Sequence, residues 1–218
     1  LLIDSTLIDI YQDTRKERKP GRVKLPAELL AKAPVPIRMD SLILKRGHLV
    51  YHENVKTQKE LAFLEAKDLS LKVFPVSNIG DSTSADLNME SYGRFMEEAE
   101  VTLNAQFIED APDHQFSVQA TMRTAGMGRF NPILLPMTGI YIKSGYCDRI
   151  NVHMTGNDYV CQGDMDMAYH DLKIAIPAND EKRNLAQKVV EGLGNFALVN
   201  NNNELSDKNC KIYYERDV

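Results

Sequence analysis

The sequence has no tryptophan, only three cysteines among 218 residues, and no apolar run that approaches the ~18 residues of a bilayer-spanning helix. Each shortage narrows what the chain can be. No stretch reads as a transmembrane helix. Three cysteines give no even disulfide framework. A net charge of −5 lacks the basic excess of a nucleic-acid-binding domain. Catalytic signatures are missing too: there is no Gly-x-Ser-x-Gly elbow, Walker loop, His-Glu-x-x-His or Cys-x-x-Cys. Gly126-Met127-Gly128 lacks the third glycine and the following helix of a dinucleotide fingerprint. The missing nucleophile motif counts against a hydrolase, and the missing tryptophan against a carbohydrate-binding sandwich.

What the chain does have is alternation. From Met137 to Pro177 apolar and polar residues alternate for longer than in almost any other segment. Ile140, Ile142, Tyr146, Ile150, Val152 and Met154 share one parity. Tyr141, Lys143, Arg149, Asn151 and His153 share the other. This predicts a long strand with one dry and one wet face. Gly156-Asn157 reads as a two-residue hairpin turn. With Thr155 opposite Asp158, the return strand puts Cys161, Met165, Met167 and Tyr169 on the same dry face. In that register Cys147 faces the wet side and Cys161 the dry side, so the two are not expected to bond. Dry positions then change from odd, through Tyr169, to even at Leu172, Ile174 and Ile176. That change predicts a bulge near His170-Asp171.

The remaining segments follow the same reading. Residues 1–13 suggest an edge strand, and Thr14–Arg22 a charged connection. The latter reads as a solvated loop or, less simply, as a patch for anionic lipid head groups diluted by Glu17. Residues 25–36 suit one short helix stopped by Pro34 and Pro36. Ile37 to Glu53 reads as a hairpin turning at Arg46-Gly47, and Leu61–Val73 as a further strand. Residues 77–84 read as a loop. Val101–Phe107 and Phe116–Met122 form a second hairpin with Phe107 opposite Phe116. Asn131–Met137 reads as a turn or a single helical turn. Leu185, Val189, Leu193 and Phe196 make the stripe of an amphipathic helix, with Asn179 or Asp180 as its cap. A last strand covers the CKIYYERD stretch.

The expected fold is therefore mainly β: a long, curved, mostly antiparallel meandering sheet with a C-terminal amphipathic helix and a short N-terminal helix. It forms a single β-rich domain over residues 1–218. The opening LLIDSTLIDIY reads as mid-strand rather than leader, so the chain is expected to be a piece of a longer protein. Strands this long, dry on one face, expose more apolar area than one helix covers. Either the sheet curls over itself, or the rest of the polypeptide or a ligand completes the surface.

No metal, cofactor or catalytic residue is expected. His48 and His52 would share an ion on a helix, but on a strand they stand ~13 Å apart. Asp164 and Asp166 share a wet strand face and read as solvated rather than as a calcium site. The methionines read most simply as core filler, although they would also suit a lining for flexible acyl chains.

Several features combine into a resemblance: Gly47-His-Leu-Val-Tyr51, Asn131-Pro132, Ser144-Gly145, the run from Gly163 to Lys173, and the aromatic strand finishing Glu215–Asp217. From Met39 to Asp217 the chain resembles the C-terminal region of AsmA-like bacterial envelope proteins, which include TamB-related domains. That resemblance implies a periplasmic location, with an inner-membrane anchor elsewhere in the polypeptide. It also implies a non-enzymatic role in outer-membrane biogenesis or phospholipid transport. The candidate apolar lining is Ile140, Ile142, Tyr146, Ile150, Val152, Met154, Met165 and Met167. Partners expected on this reading are phospholipid acyl chains, the remainder of the same polypeptide and other envelope proteins, with no nucleic acid. The alternative is a structural or protein-interaction module that binds no lipid.

Overall fold

A computed structural model describes residues 1–15, 24–55, 60–79, 86–108, 113–175 and 209–215. Its strands are β1 (Leu2–Asp4), β2 (Leu7–Asp13), β3 (Arg38–Met39), β4 (Leu42–Asn54), β5 (Ala62–Phe74) and β6 (Val76–Ser77) in the first half. They continue with β7 (Leu87–Phe95), β8 (Ala99–Phe107), β9 (Phe116–Gly126), β10 (Tyr141–Gly156), β11 (Val160–Ala175) and β12 (Asn209–Glu215). Two small helices, α1 (Pro26–Ala31) and α2 (Asn131–Thr138), complete the described elements, with a 3-10 turn over Met127–Phe130 leading into α2.

Ten strands make one sheet in the order β1-β4-β5-β7-β8-β9-β10-β11-β12, with β2 following β1 along the same edge of β4. β1 and β2 run parallel to β4, and every other neighbouring pair in this sheet is antiparallel. A parallel return needs a long connection, and the stretch between β2 and β4 that contains α1 supplies it. The sheet does not close into a barrel. β3 and β6 form a separate two-stranded ladder beside it.

Register fixes what shares a face. Phe107 pairs with Phe116, as the alternation predicts, and their rings lie 6.3 Å apart. β7 gives no clear alternation in the sequence, because Ser91 and Gly93 interrupt its apolar series of Leu87, Met89 and Phe95. It fills the place between β5 and β8.

Arg46-Gly47 is not a hairpin turn. β4 runs straight through it as a 13-residue strand, with the ladder to β5 slipping on either side of Gly47. Arg46 takes a positive φ of 50°, Asp68 on β5 one of 53°, and Ser5, where β1 gives way to β2, one of 56°. These three irregularities lie side by side and form one crease across the sheet edge. Arg46 is paired to Asp4 across it.

The long hairpin also departs from expectation. β10 and β11 are both 16 residues long, but Gly156 pairs with Cys161, so Val152 faces Met165 rather than Cys161. The turn is wider than Gly156-Asn157. Asn157 spans it by accepting the Tyr159 and Val160 N–H groups on Oδ1, at 2.9 and 3.1 Å. The ladder slips again between Ile142 and Tyr146 and between Cys147 and Arg149. These slips exchange the parities, leaving Cys147 fully buried and Tyr146 52% exposed, the reverse of the expected facing. Gly145 sits at the first slip with φ +136°, a conformation open essentially to glycine. The expected bulge near Asp171 is present: Asp171 has φ 55°, and Tyr169 and Leu172 are both buried on either side of it.

α2 is longer than a single turn. Pro132 stands in its first turn, and Gly139 closes it in the left-handed conformation, donating its N–H to Leu135 at 2.9 Å. The expected amphipathic helix around Leu185–Phe196 lies outside the described residues.

Candidate functional site

Strand register builds the apolar face row by row. Leu42, Val73, Met89, Ala105, Val118 and Met154 form one row across β4, β5, β7, β8, β9 and β10. Leu44, Leu71, Ser91, Leu103, Ala120, Val152 and Met165 form the next, reaching β11. Val101, Met122, Ile150 and Met167 form a third. On the opposite face a polar row, Lys72, Glu90, Asn104, Gln119, His153 and Asp164, runs in register from β5 to β11. Alternation thus becomes two chemically opposite surfaces.

The two helices bracket the apolar face. α1 supplies Leu30 and Ala27 to a core containing Val76, Leu87, Ala105 and Phe107. At the other end Leu134 of α2 and Met127 pack over Ile142, Tyr169 and Leu172. Between them Leu103, Ala120, Val152 and Met165 are only partly buried by the described residues.

Of the candidate lining, Ile150, Val152, Met154, Met165 and Met167 come together in these rows, all partly buried. Ile142 is 5% exposed and lies beneath α2. Ile140 precedes β10 and donates its N–H to Thr138. Tyr146 stands apart, its ring stacked on His170 at 5.4 Å. Buried beside this end, the Cys147 thiol is pushed up to about 11 by burial, helped by the charge of Asp148.

His48 and His52 both lie on β4 and make separate contacts. His48 Nε2 meets Glu65 Oε1 at 2.7 Å, and the His52 ring packs on Phe63 at 5.4 Å. Burial opposes ionisation of Glu65. The hydrogen bonds from His48 and Lys67 outweigh it and hold that carboxyl below its ordinary range.

A second grouping was not legible as a site in the sequence. Glu28 of α1, His114 before β9 and Asp158 in the β10–β11 turn each place a ligand atom within 4.8 Å of the other two. Among the described residues this is the only such group of three. Glu28 is 2% exposed and Asp158 7%. His114 Nδ1 lies 2.7 Å from Asp158 Oδ2, and Lys32 Nζ donates to Glu28 Oε1 at 2.6 Å. The signal available was register. Phe116 pairs with Gly156, which sets the β8–β9 and β10–β11 turns beside one another at one end of the sheet. Reading Asp158 into the return strand hides that neighbourhood.

Compared with known proteins, the chain matches no protein-family model, no curated protein and no solved structure.

Proposed function

We propose that the chain is a non-enzymatic module of an AsmA-like envelope protein, working in the periplasm of a membrane-anchored polypeptide. Its sheet handles phospholipid through contact between acyl chains and the apolar face. On this reading the sheet is long and curved and carries a C-terminal amphipathic helix. One observation carries the proposal: the row through Leu103, Ala120, Val152 and Met165 is apolar, continuous over several strands and only partly buried between two helices. Contiguous apolar surface of this kind marks a binding surface more often than a bare exterior. Met165 and Met167 add an adaptable lining suited to flexible chains.

A second reading is a protein-docking role through the sheet edge. Leu2 on β1 and Leu7 on β2 are 58% and 63% exposed on a strand edge open to β-augmentation.

Native mass spectrometry of the protein purified from a membrane-containing lysate separates the two. Stoichiometric phospholipid that is lost in Val152→Asp, with the fold retained by circular dichroism, supports lipid handling. Lipid-free protein that dimerises or captures a partner overturns it in favour of edge docking.

A further inference from the structure

We propose that Arg123 and Arg149 bind one phosphate-type oxyanion on the polar face of the sheet, as inorganic phosphate or as the head of a phosphate ester. The site lies on the side opposite the apolar rows, so the inference stands whether or not that face carries lipid.

Register brings the two arginines together. Arg149 on β10 pairs with Arg123 on β9, and Asn151 pairs with Thr121 one step along the same face. Directly paired residues of an antiparallel ladder hold their Cβ atoms about 4.5–5.5 Å apart, and like charges placed so are destabilising. The fold keeps them there all the same. β10 slips against β11 just before Arg149, while its ladder to β9 runs on without a shift. Nor are the two charges neutralised. Arg15 is held by Asp13, Arg46 by Asp4, Arg94 by Asp68 and Arg129 by Glu98. Arg123 and Arg149 have no ion pair among the described residues, although Glu100 lies beside Arg123 in register.

Burial supplies a second, independent observation. The Nε of Arg149 is shut off from solvent and has no hydrogen-bond partner. A buried charged donor without an acceptor is costly, and an oxyanion seated against it removes that cost.

The donors select the ligand. One guanidinium fork takes two oxygens side by side, so a single fork already satisfies a carboxylate. Two neighbouring forks suit a tetrahedral oxyanion, which presents oxygen pairs to both. Thr121 Oγ1 donates to Asn151 Oδ1 at 3.2 Å, which leaves the Asn151 Nδ2 hydrogens as a neutral donor beside the pair. Glu100 flanks the site on β8, and Asp166, paired with Asn151, flanks it on β11. These carboxylates confine the positive field to one small anion and would repel an extended polyanion.

The test titrates the full chain by calorimetry with sodium phosphate and, separately, with glycerol 3-phosphate, at low ionic strength in a chloride buffer. One saturable equivalent, with a rise in Tm, is expected. Arg123→Gln and Arg149→Gln should each weaken binding at least about tenfold. Should either variant fail to fold, the arginine Nε–H signals of the unaltered protein still decide. Phosphate must shift those of Arg123 and Arg149 and leave the ion-paired Arg15, Arg46 and Arg94 in place. Phosphatidylcholine vesicles containing phosphatidic acid then separate the two sources. Adsorption that is lost in Arg149→Gln assigns the site to a lipid head group, and binding of the ester without adsorption assigns it to a soluble phosphate; either result supports the site. No saturable binding, unchanged affinity in both variants, or phosphate acting at other arginines overturns it.

Discussion

The two ends of the apolar face are closed by different means. At the α2 end the closure is neutral. Ile142, Tyr169 and Leu172 are buried beneath Leu134 and Met127, and α2 also packs against β5. Its last residue lies a few positions before β10, and the Asn131 side chain pairs with Ile142 like a strand neighbour. It accepts the Ile142 N–H and donates to the Ile142 carbonyl, both at 2.8 Å. At the α1 end an apolar cluster around Phe107 lies next to Glu28, Lys32, His114 and Asp158. α1 is joined to the sheet by longer connections, so the chain itself does not fix its position. Where connectivity places a helix, apolar packing suffices. Where it does not, directional polar contacts supply the register that packing lacks: just after α1, Asn78 donates its Nδ2 to the Val35 carbonyl at 2.8 Å and accepts the Ile37 N–H at 2.7 Å.

The widest test of this contrast is to empty each end in turn. Phe107→Ala and Tyr169→Ala each remove a buried aromatic ring, and each should cost about 3–5 kcal/mol in urea unfolding. The contrast predicts that the two losses diverge in local effect. Phe107→Ala should raise hydrogen exchange across α1 well before global unfolding, while Tyr169→Ala should leave α2 protected by its Asn131 bridge. Equal local opening in both variants would erase the distinction.

A narrower probe acts on β10 alone. A Cβ added at Gly145 would sit 2.9 Å from the Leu172 Cα, a backbone atom, and the residue's φ is +136°. Gly145→Ala should therefore destabilise by about 1–3 kcal/mol. It should also expose Cys147, because the slip at Gly145 helps turn that thiol inward. Faster alkylation of Cys147 would report the change, and unaltered stability and labelling would mean that the bulge does not set the facing.

That bulge also explains which parts of the fold the sequence shows. β8 and β9 alternate without interruption, so pairing Phe107 with Phe116 follows from parity. In β10 and β11 the turn is wider than Gly156-Asn157 suggests. The slip happens to be even, so Val152 and Met165 still share the apolar face although their partners change. Tyr146 is lost to the other face because it lies beyond two irregularities that parity does not reveal. Strand β4 hides its bulge in the opposite way: Arg46-Gly47 has the composition of a turn, yet the chain continues through it. The Glu28, His114 and Asp158 grouping was beyond reach for a different reason. It depends on two turn registers and on where a six-residue helix docks, and no local pattern contains either.

The smallest effect concerns the exposed edge of the α2 end, where His170 stacks on Tyr146. The hydrogen bond to Asp171, with Asp148 nearby, raises the His170 pKa above its ordinary 6.5. The folded protein thus holds this proton more tightly than the unfolded chain does. The stabilisation is fully present below pH 6.5 and is lost as pH rises through the folded-state value. The side chain is well solvated, so the change in stability should be slight and best read by NMR titration of the ring. Asp171→Asn keeps a side chain that tolerates positive φ while removing the charge, and it should return His170 towards 6.5. If the ring titrates unchanged in that variant, Asp148 across the strand pair holds the proton instead, and the edge of this end is tied by a contact between strands rather than by one bulge.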